Sequence, residues 1–131
     1  MIYLDTSIAL AQLLGETRRP PDALWSEPLV SSRLLQYELW SRLNAKGLAG
    51  SHGELARQLV GMVALVELAV PVLERALDPF PVPVRTLDAL HLATAVFLLG
   101  QDQDVRLATY DEHLAHAATA LDIPLWQDSA R

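Results

Sequence analysis

The chain has 131 residues, 51% of them hydrophobic and 20% charged, which fits one folded domain and excludes a disordered chain. It has no cysteine, so a disulfide framework and a thiolate metal site are excluded, and oxygen ligands, with histidine at most, remain for a metal. Its net charge is −6 and its one lysine is Lys46, a balance that runs against binding nucleic acid through a simple basic patch.

The apolar pattern predicts strands and helices in alternation. Residues 2–5 form a short buried strand, and Thr6–Leu14 a helix stopped near Gly15. Pro20 and Pro21 suit the first turn of a further helix. A second strand is expected over 29–32. A helix follows over 33–46, where Leu35, Leu39, Trp40 and Leu43 keep helical spacing up to Gly47. Another helix is expected over 52–66, then a third strand over 68–73. Pro79, Pro81 and Pro83 impose an extended connection. A strongly apolar helix over 86–99 precedes a strand over 106–109, a helix over 111–121 and a last strand over 123–126. We find no repeat and no linker, so residues 1–131 are expected to be a single domain. The start Met1-Ile2-Tyr3-Leu4-Asp5 lacks the basic and long apolar stretches of a signal peptide. No apolar run approaches the roughly 20 residues that span a bilayer. The expectation is a soluble, cytoplasmic protein with no membrane association.

Alternating strands and helices imply an α/β domain with a mainly parallel sheet, whose sites gather at the carboxyl ends of strands. Four acids are of interest in that setting, although each alone has an ordinary structural reading. Asp5, between a strand and a helix, suits an N-cap. Glu38 has Arg42 four residues on, the spacing of a weak surface ion pair. Asp88 lies in a first turn, behind Thr86 as cap, where the helix dipole favours a carboxylate. Its face continues into Leu92, Ala95 and Leu99, however, and an unpaired inward carboxylate is costly. Asp111 falls within a capping box of Thr109 and Glu112. Taken together, three of the four stand at strand ends or helix starts, and the set supplies oxygen ligands for two closely spaced Mg²⁺ or Mn²⁺ ions. Such ions would also relieve the repulsion among the carboxylates.

Tyr3-Leu4-Asp5-Thr6-Ser7 resembles the opening motif of the PIN-domain family. Gln36-Tyr37-Glu38-Leu39 resembles the segment carrying its second acid. Arg85-Thr86-Leu87-Asp88-Ala89-Leu90-His91-Leu92-Ala93-Thr94-Ala95 is similar to the family's most distinctive motif. Leu107-Ala108-Thr109-Tyr110-Asp111 resembles the fourth. Order and spacing match from end to end, and the short stand-alone members similar to this chain are the VapC-type toxins. The resemblance implies a three-layer fold in which helices flank a parallel sheet of four or five strands. It implies Mg²⁺- or Mn²⁺-dependent endoribonuclease activity, neutralisation by a small cognate antitoxin, and a homodimer. Asp5, Glu38, Asp88 and Asp111 are then the catalytic, metal-holding acids, with Ser7 and Thr109 in support. Divalent ions supply a water of lowered pKa and charge stabilisation at the scissile phosphate, leaving a 5′-phosphate and a 3′-hydroxyl. They also answer the charge objection, since the loaded site is near neutral. Arg33, Arg42, Lys46 and Arg85 lie close in sequence to the acids and are candidates for the RNA backbone, against the equally ordinary reading of solvated charges.

Other features carry less. His113 and His116 have a zinc-compatible spacing but no evident third ligand. His91, one turn after Asp88, either orients a carboxylate or packs in the core. Trp25, Trp40 and Trp126 read as core or interface. A dehalogenase-type phosphatase needs a second Asp where Ser7 stands, and a receiver domain needs a lysine late in the chain. The rival of a different class is a catalytically silent PIN-like scaffold for protein or RNA, against which the intact acidic quartet argues.

Overall fold

The computed structural model describes residues 1–15 and 18–127. Four short strands, β1 (Ile2–Leu4), β2 (Leu29–Ser32), β3 (Val63–Val66) and β4 (Arg106–Ala108), pair in the order β3-β2-β1-β4, and every pairing is parallel. Six helices connect and cover them: α1 (Thr6–Leu14), α2 (Leu34–Ala45), α3 (Ala49–Gly61), α4 (Val70–Leu77), α5 (Thr86–Gly100) and α6 (Glu112–Ala120). This is the expected α/β architecture, with the sheet at the lower of the two anticipated sizes. No helix among the described residues is long and apolar enough to cross a membrane.

Parallel strands buried on both faces read as continuous apolar runs, and here neighbouring residues serve opposite cores. Ile2, Leu4, Leu29 and Ala108 face a cluster with Ile8 and Ala9 of α1, Leu35 and Leu39 of α2, and Leu59 of α3. Tyr3, Val30 and Leu107 face the other side, with Leu92, Ala95 and Leu98 of α5 and Leu114, Ala117 and Ala118 of α6. The three layers follow from this alternation. α4 packs on α5.

The order of the strands locates the site. From β1 the chain moves outward on one side to β2 and β3, then returns to place β4 on the other side of β1. The connections therefore part between β1 and β4, and a crevice opens beyond the carboxyl ends of those two strands. Asp5 follows β1 and Asp111 stands just ahead of α6, after β4.

Several expected elements are corrected. The predicted helix over 52–66 is two elements, α3 ending at Gly61 and then β3. The run over 59–66 is continuously apolar, so helical and strand periods fit it equally, and β-branched Val63 and Val66 favour the strand. The strand expected over 68–73 is instead the start of α4, with Pro71 in its first turn, where the missing N–H has no helical partner to lose. Pro20 and Pro21 precede only a 3₁₀ turn over Asp22–Ser26. The last strand reduces to a single bridge between Leu125 and Leu107.

Candidate active site

Asp5 is almost fully buried and caps α1. Its Oδ2 accepts from the Ser7 backbone N–H at 3.3 Å, the Ser7 hydroxyl at 2.7 Å and the Thr109 hydroxyl at 2.8 Å. A hydroxyl has one proton. Ser7 and Thr109 both give theirs to Asp5, and each then accepts a backbone N–H: Ser7 from Tyr110 at 2.9 Å, Thr109 from Asp111 at 2.9 Å. The two hydroxyls thus lace the end of β1 to the end of β4 through Asp5.

Asp111 is the cap of α6, and its Oδ1 accepts from the N–H groups of His113 at 2.9 Å and Leu114 at 3.3 Å. The capping box expected around Thr109 is therefore replaced: Asp111 caps the helix, while the Thr109 hydroxyl is committed to Asp5. Glu38 projects from α2, and its Oε1 accepts from Thr6 Oγ1 at 3.0 Å and lies 2.5 Å from His91 Nε2. That contact takes the place of the Arg42 ion pair considered above. Asp88 lies in the first turn of α5, whose cap position is Arg85 rather than the expected Thr86.

The four acids line one open cleft of about 750 Å³, with Thr6, Ser7, Arg18, Arg42, Arg85 and Tyr110 also on its walls. In Asp5, Glu38 and Asp111, the hydrogen bonds received from within the protein all fall on one oxygen of each carboxylate. Among the described residues, the second oxygen of each accepts no hydrogen bond. Asp88 has no such anchor among the hydrogen bonds described. Burial holds its carboxyl above the usual carboxylate range, and the charges of Asp111 and Asp5 push it the same way, against His91 and Arg85.

As the side chains stand, no three acidic or histidine groups among the described residues converge on a ready-made ion site. The donor chemistry nevertheless suits a hard divalent cation: four carboxylates, no sulfur, and like charge around Asp88 that a cation relieves. His113 and His116 are exposed.

Of the cations singled out in the sequence, Arg42 and Arg85 reach the cleft. Arg33 instead pairs with Glu67 on the surface, and Lys46 is exposed at the end of α2, outside the cleft lining. Sequence reasoning missed Thr6, Tyr3, Arg18 and Tyr110. Thr6 lies inside the opening motif and was visible there. Arg18 stacks its guanidinium over the Tyr110 ring, 4.2 Å from the centroid, a tertiary pairing with no signature in the sequence. Both readings of His91 hold, for it is 2% exposed and also touches a carboxylate, but that carboxylate is Glu38 and not its helical neighbour Asp88.

Comparison with known proteins agrees with this geometry. The sequence matches the PIN domain family over residues 2–120. It is similar to the ribonuclease VapC46 of Mycobacterium tuberculosis, with 37% identity over 125 residues and 92% of each chain covered. It is also similar to the ribonuclease VapC47 of the same species, with 31% identity over 121 residues and 87% of each chain covered. No solved structure gives a significant match. A four-stranded parallel sheet between helices, a carboxylate cleft where its connections part, and a family match over nearly the whole length lead to one conclusion: the chain belongs to the PIN domain family.

Proposed function

We propose that the protein is a divalent-metal-dependent endoribonuclease acting as the toxin of a two-protein toxin–antitoxin pair. The observation that carries this reading is the cleft itself. Four carboxylates from separate parts of the chain line it, and three of them have one oxygen held by hydrogen bonds and the other, among the described residues, without one. The similarity to two ribonucleases supports the choice of RNA as substrate.

Asp5, Glu38, Asp88 and Asp111 are the residues to hold Mg²⁺ or Mn²⁺, which would supply an activated water and charge stabilisation at the phosphate. The chain's own groups do the rest. Ser7, Thr109 and Thr6 keep the carboxylates from turning away, and the cleft arginines hold the backbone on either side of the scissile bond. The test maps new RNA 5′ ends in cells after brief induction. The intact protein is expected to produce discrete new ends, Asp5→Asn none, and co-expression of the cognate antitoxin none. Identical ends from Asp5→Asn would sink the nuclease reading and favour a binding scaffold.

The arginines give an independent expectation. With Asp5→Asn as background, RNA affinity should fall on replacing Arg18, Arg42 and Arg85 together by Gln. The slope of log affinity against log salt should become shallower by about 2, each phosphate contact on a single strand being worth about 0.7. Arg33→Gln should leave the slope unchanged, because Arg33 is engaged with Glu67 outside the cleft. Equal effects from Arg33 and the cleft arginines would place the RNA elsewhere.

A homodimer completes the reading. Val70, Leu73 and Leu77 form a stripe on α4 with 65%, 41% and 86% exposure, beside an apolar groove between α4 and α5. Exposed apolar patches of this kind mark interfaces. Light scattering should give a dimer mass for the intact protein and a monomer mass for Leu73→Asp/Leu77→Asp. A monomer in both cases removes the dimer.

A further inference from the structure

Glu38 reaches the cleft from α2, but what fixes its carboxylate lies behind it in the core. His91 Nε2 is 2.5 Å from Glu38 Oε1, and His91 Nδ1 is 2.7 Å from the Tyr3 hydroxyl. Tyr3 is fully buried and His91 is 2% exposed, with the two rings edge-on at 87° and their centroids 5.8 Å apart. A carboxylate oxygen only accepts, so His91 Nε2 carries the hydrogen given to Glu38, and the uncharged phenol of Tyr3 has a proton to donate. A neutral imidazole accepts at one nitrogen and donates at the other. With Tyr3 donating to Nδ1, the proton of His91 sits on Nε2 and points at Glu38. Thr6 donates to the same Oε1. Two donors on one oxygen fix the plane of the carboxylate and so the direction of Oε2.

We propose that His91, with its tautomer set by Tyr3, is a positioning residue that holds Glu38 as a cation ligand in the cleft. This rests on the metal-dependent reading above. It assigns to a buried histidine of α5 and a buried tyrosine of β1 a task in a site that neither lines. Outer partners of this kind, which donate to a ligand from behind, typically change metal affinity by about 10–100-fold when removed.

The test is calorimetric titration of the full chain with Mn²⁺, with a thermal melt of each variant as a check on folding. His91→Leu should weaken Mn²⁺ binding by about 10–100-fold. His91→Gln, which keeps an N–H at similar reach, should restore most of it. In a Glu38→Ala background, His91→Leu should cause no further loss, because its effect passes through Glu38. Equal weakening in both backgrounds would mean general structural damage and would overturn the proposal, as would full affinity in folded His91→Leu. If His91→Leu does not fold, Tyr3→Phe carries the same test, since it removes only the hydroxyl. It should weaken binding when Glu38 is present and not when it is absent, and an unchanged affinity overturns the proposal. Intact protein that cleaves RNA and binds Mn²⁺ while His91→Leu binds equally well would remove this inference alone. Intact protein that takes up no Mn²⁺ would remove the metal-dependent reading with it.

Discussion

Replacing Asp88 by Asn is expected to abolish RNA cleavage and, in metal-free protein at neutral pH, to raise the melting temperature. The two effects share a cause. Asp88 is partly buried in the cleft wall near Asp5 and Asp111, and its carboxyl is held above its ordinary range in the folded chain. The folded state therefore binds its proton more tightly than the unfolded state does. Stability is lost as pH rises from the ordinary carboxylate range through the raised folded value, and above that window the whole penalty is present. Asn carries no such penalty. Melts in chelator should show the variant above the intact protein at pH 7, with the gap closing as pH falls below the ordinary aspartate range. Added Mn²⁺ should stabilise the intact protein more than the variant, because a ligand stabilises the state that binds it. Loss of activity should exceed about 100-fold, the upper end of what even outer partners of a metal contribute. A variant that melts lower at pH 7 in chelator would show that Asp88 is paired in the folded protein.

Leu39→Ala is expected to destabilise the domain by about 2–5 kcal/mol, the range for emptying a large buried site. That is a large share of the roughly 5–15 kcal/mol available to a domain. Three consecutive residues of α2 meet three environments. Tyr37 is 65% exposed, Glu38 lines the cleft, and Leu39 is fully buried in the core that α1, α2 and α3 share. Tyr37→Ala should accordingly stay within about 0.5 kcal/mol. Urea melts of the two variants check the contrast, and near-equal effects would mean that α2 is rotated from this placement.

Three of the four acids stand where local rules place a carboxylate: Asp5 as a cap after a strand, Asp88 in a first helical turn, Asp111 as a cap before a helix; Glu38, inside α2, has no such local marker. Their assembly was legible because strand–helix alternation leads to one crevice. The middle of the chain was less so. Nothing local separates the end of α3 from β3 in the unbroken apolar run over 59–66, and only pairing of Val63–Val66 with β2 decides it. The strand expected over 68–73 contains Pro71, which instead opens α4, and the apolar residues of that helix turn partly outward. His91 shows a different limit. Its own helix points to Asp88, three residues back, whereas its partner Glu38 is 53 residues away, and only the packing of α5 against the sheet brings them together.

The strand at the centre of the sheet is also the earliest in the chain. β1 pairs with β2 on one edge, its other edge stays open until β4 is made, and the Thr109 hydroxyl that holds Asp5 lies 104 residues further on. At translation rates of about 5–20 residues per second, that interval is roughly 5–20 s. Closing such distant pairings is moreover the slow part of folding. A nascent chain therefore carries Asp5 through that interval with no cleft around it. The acidic cleft is completed only as α6 emerges, and on the nuclease reading proposed above this would delay activity on the very class of molecule that directs its synthesis.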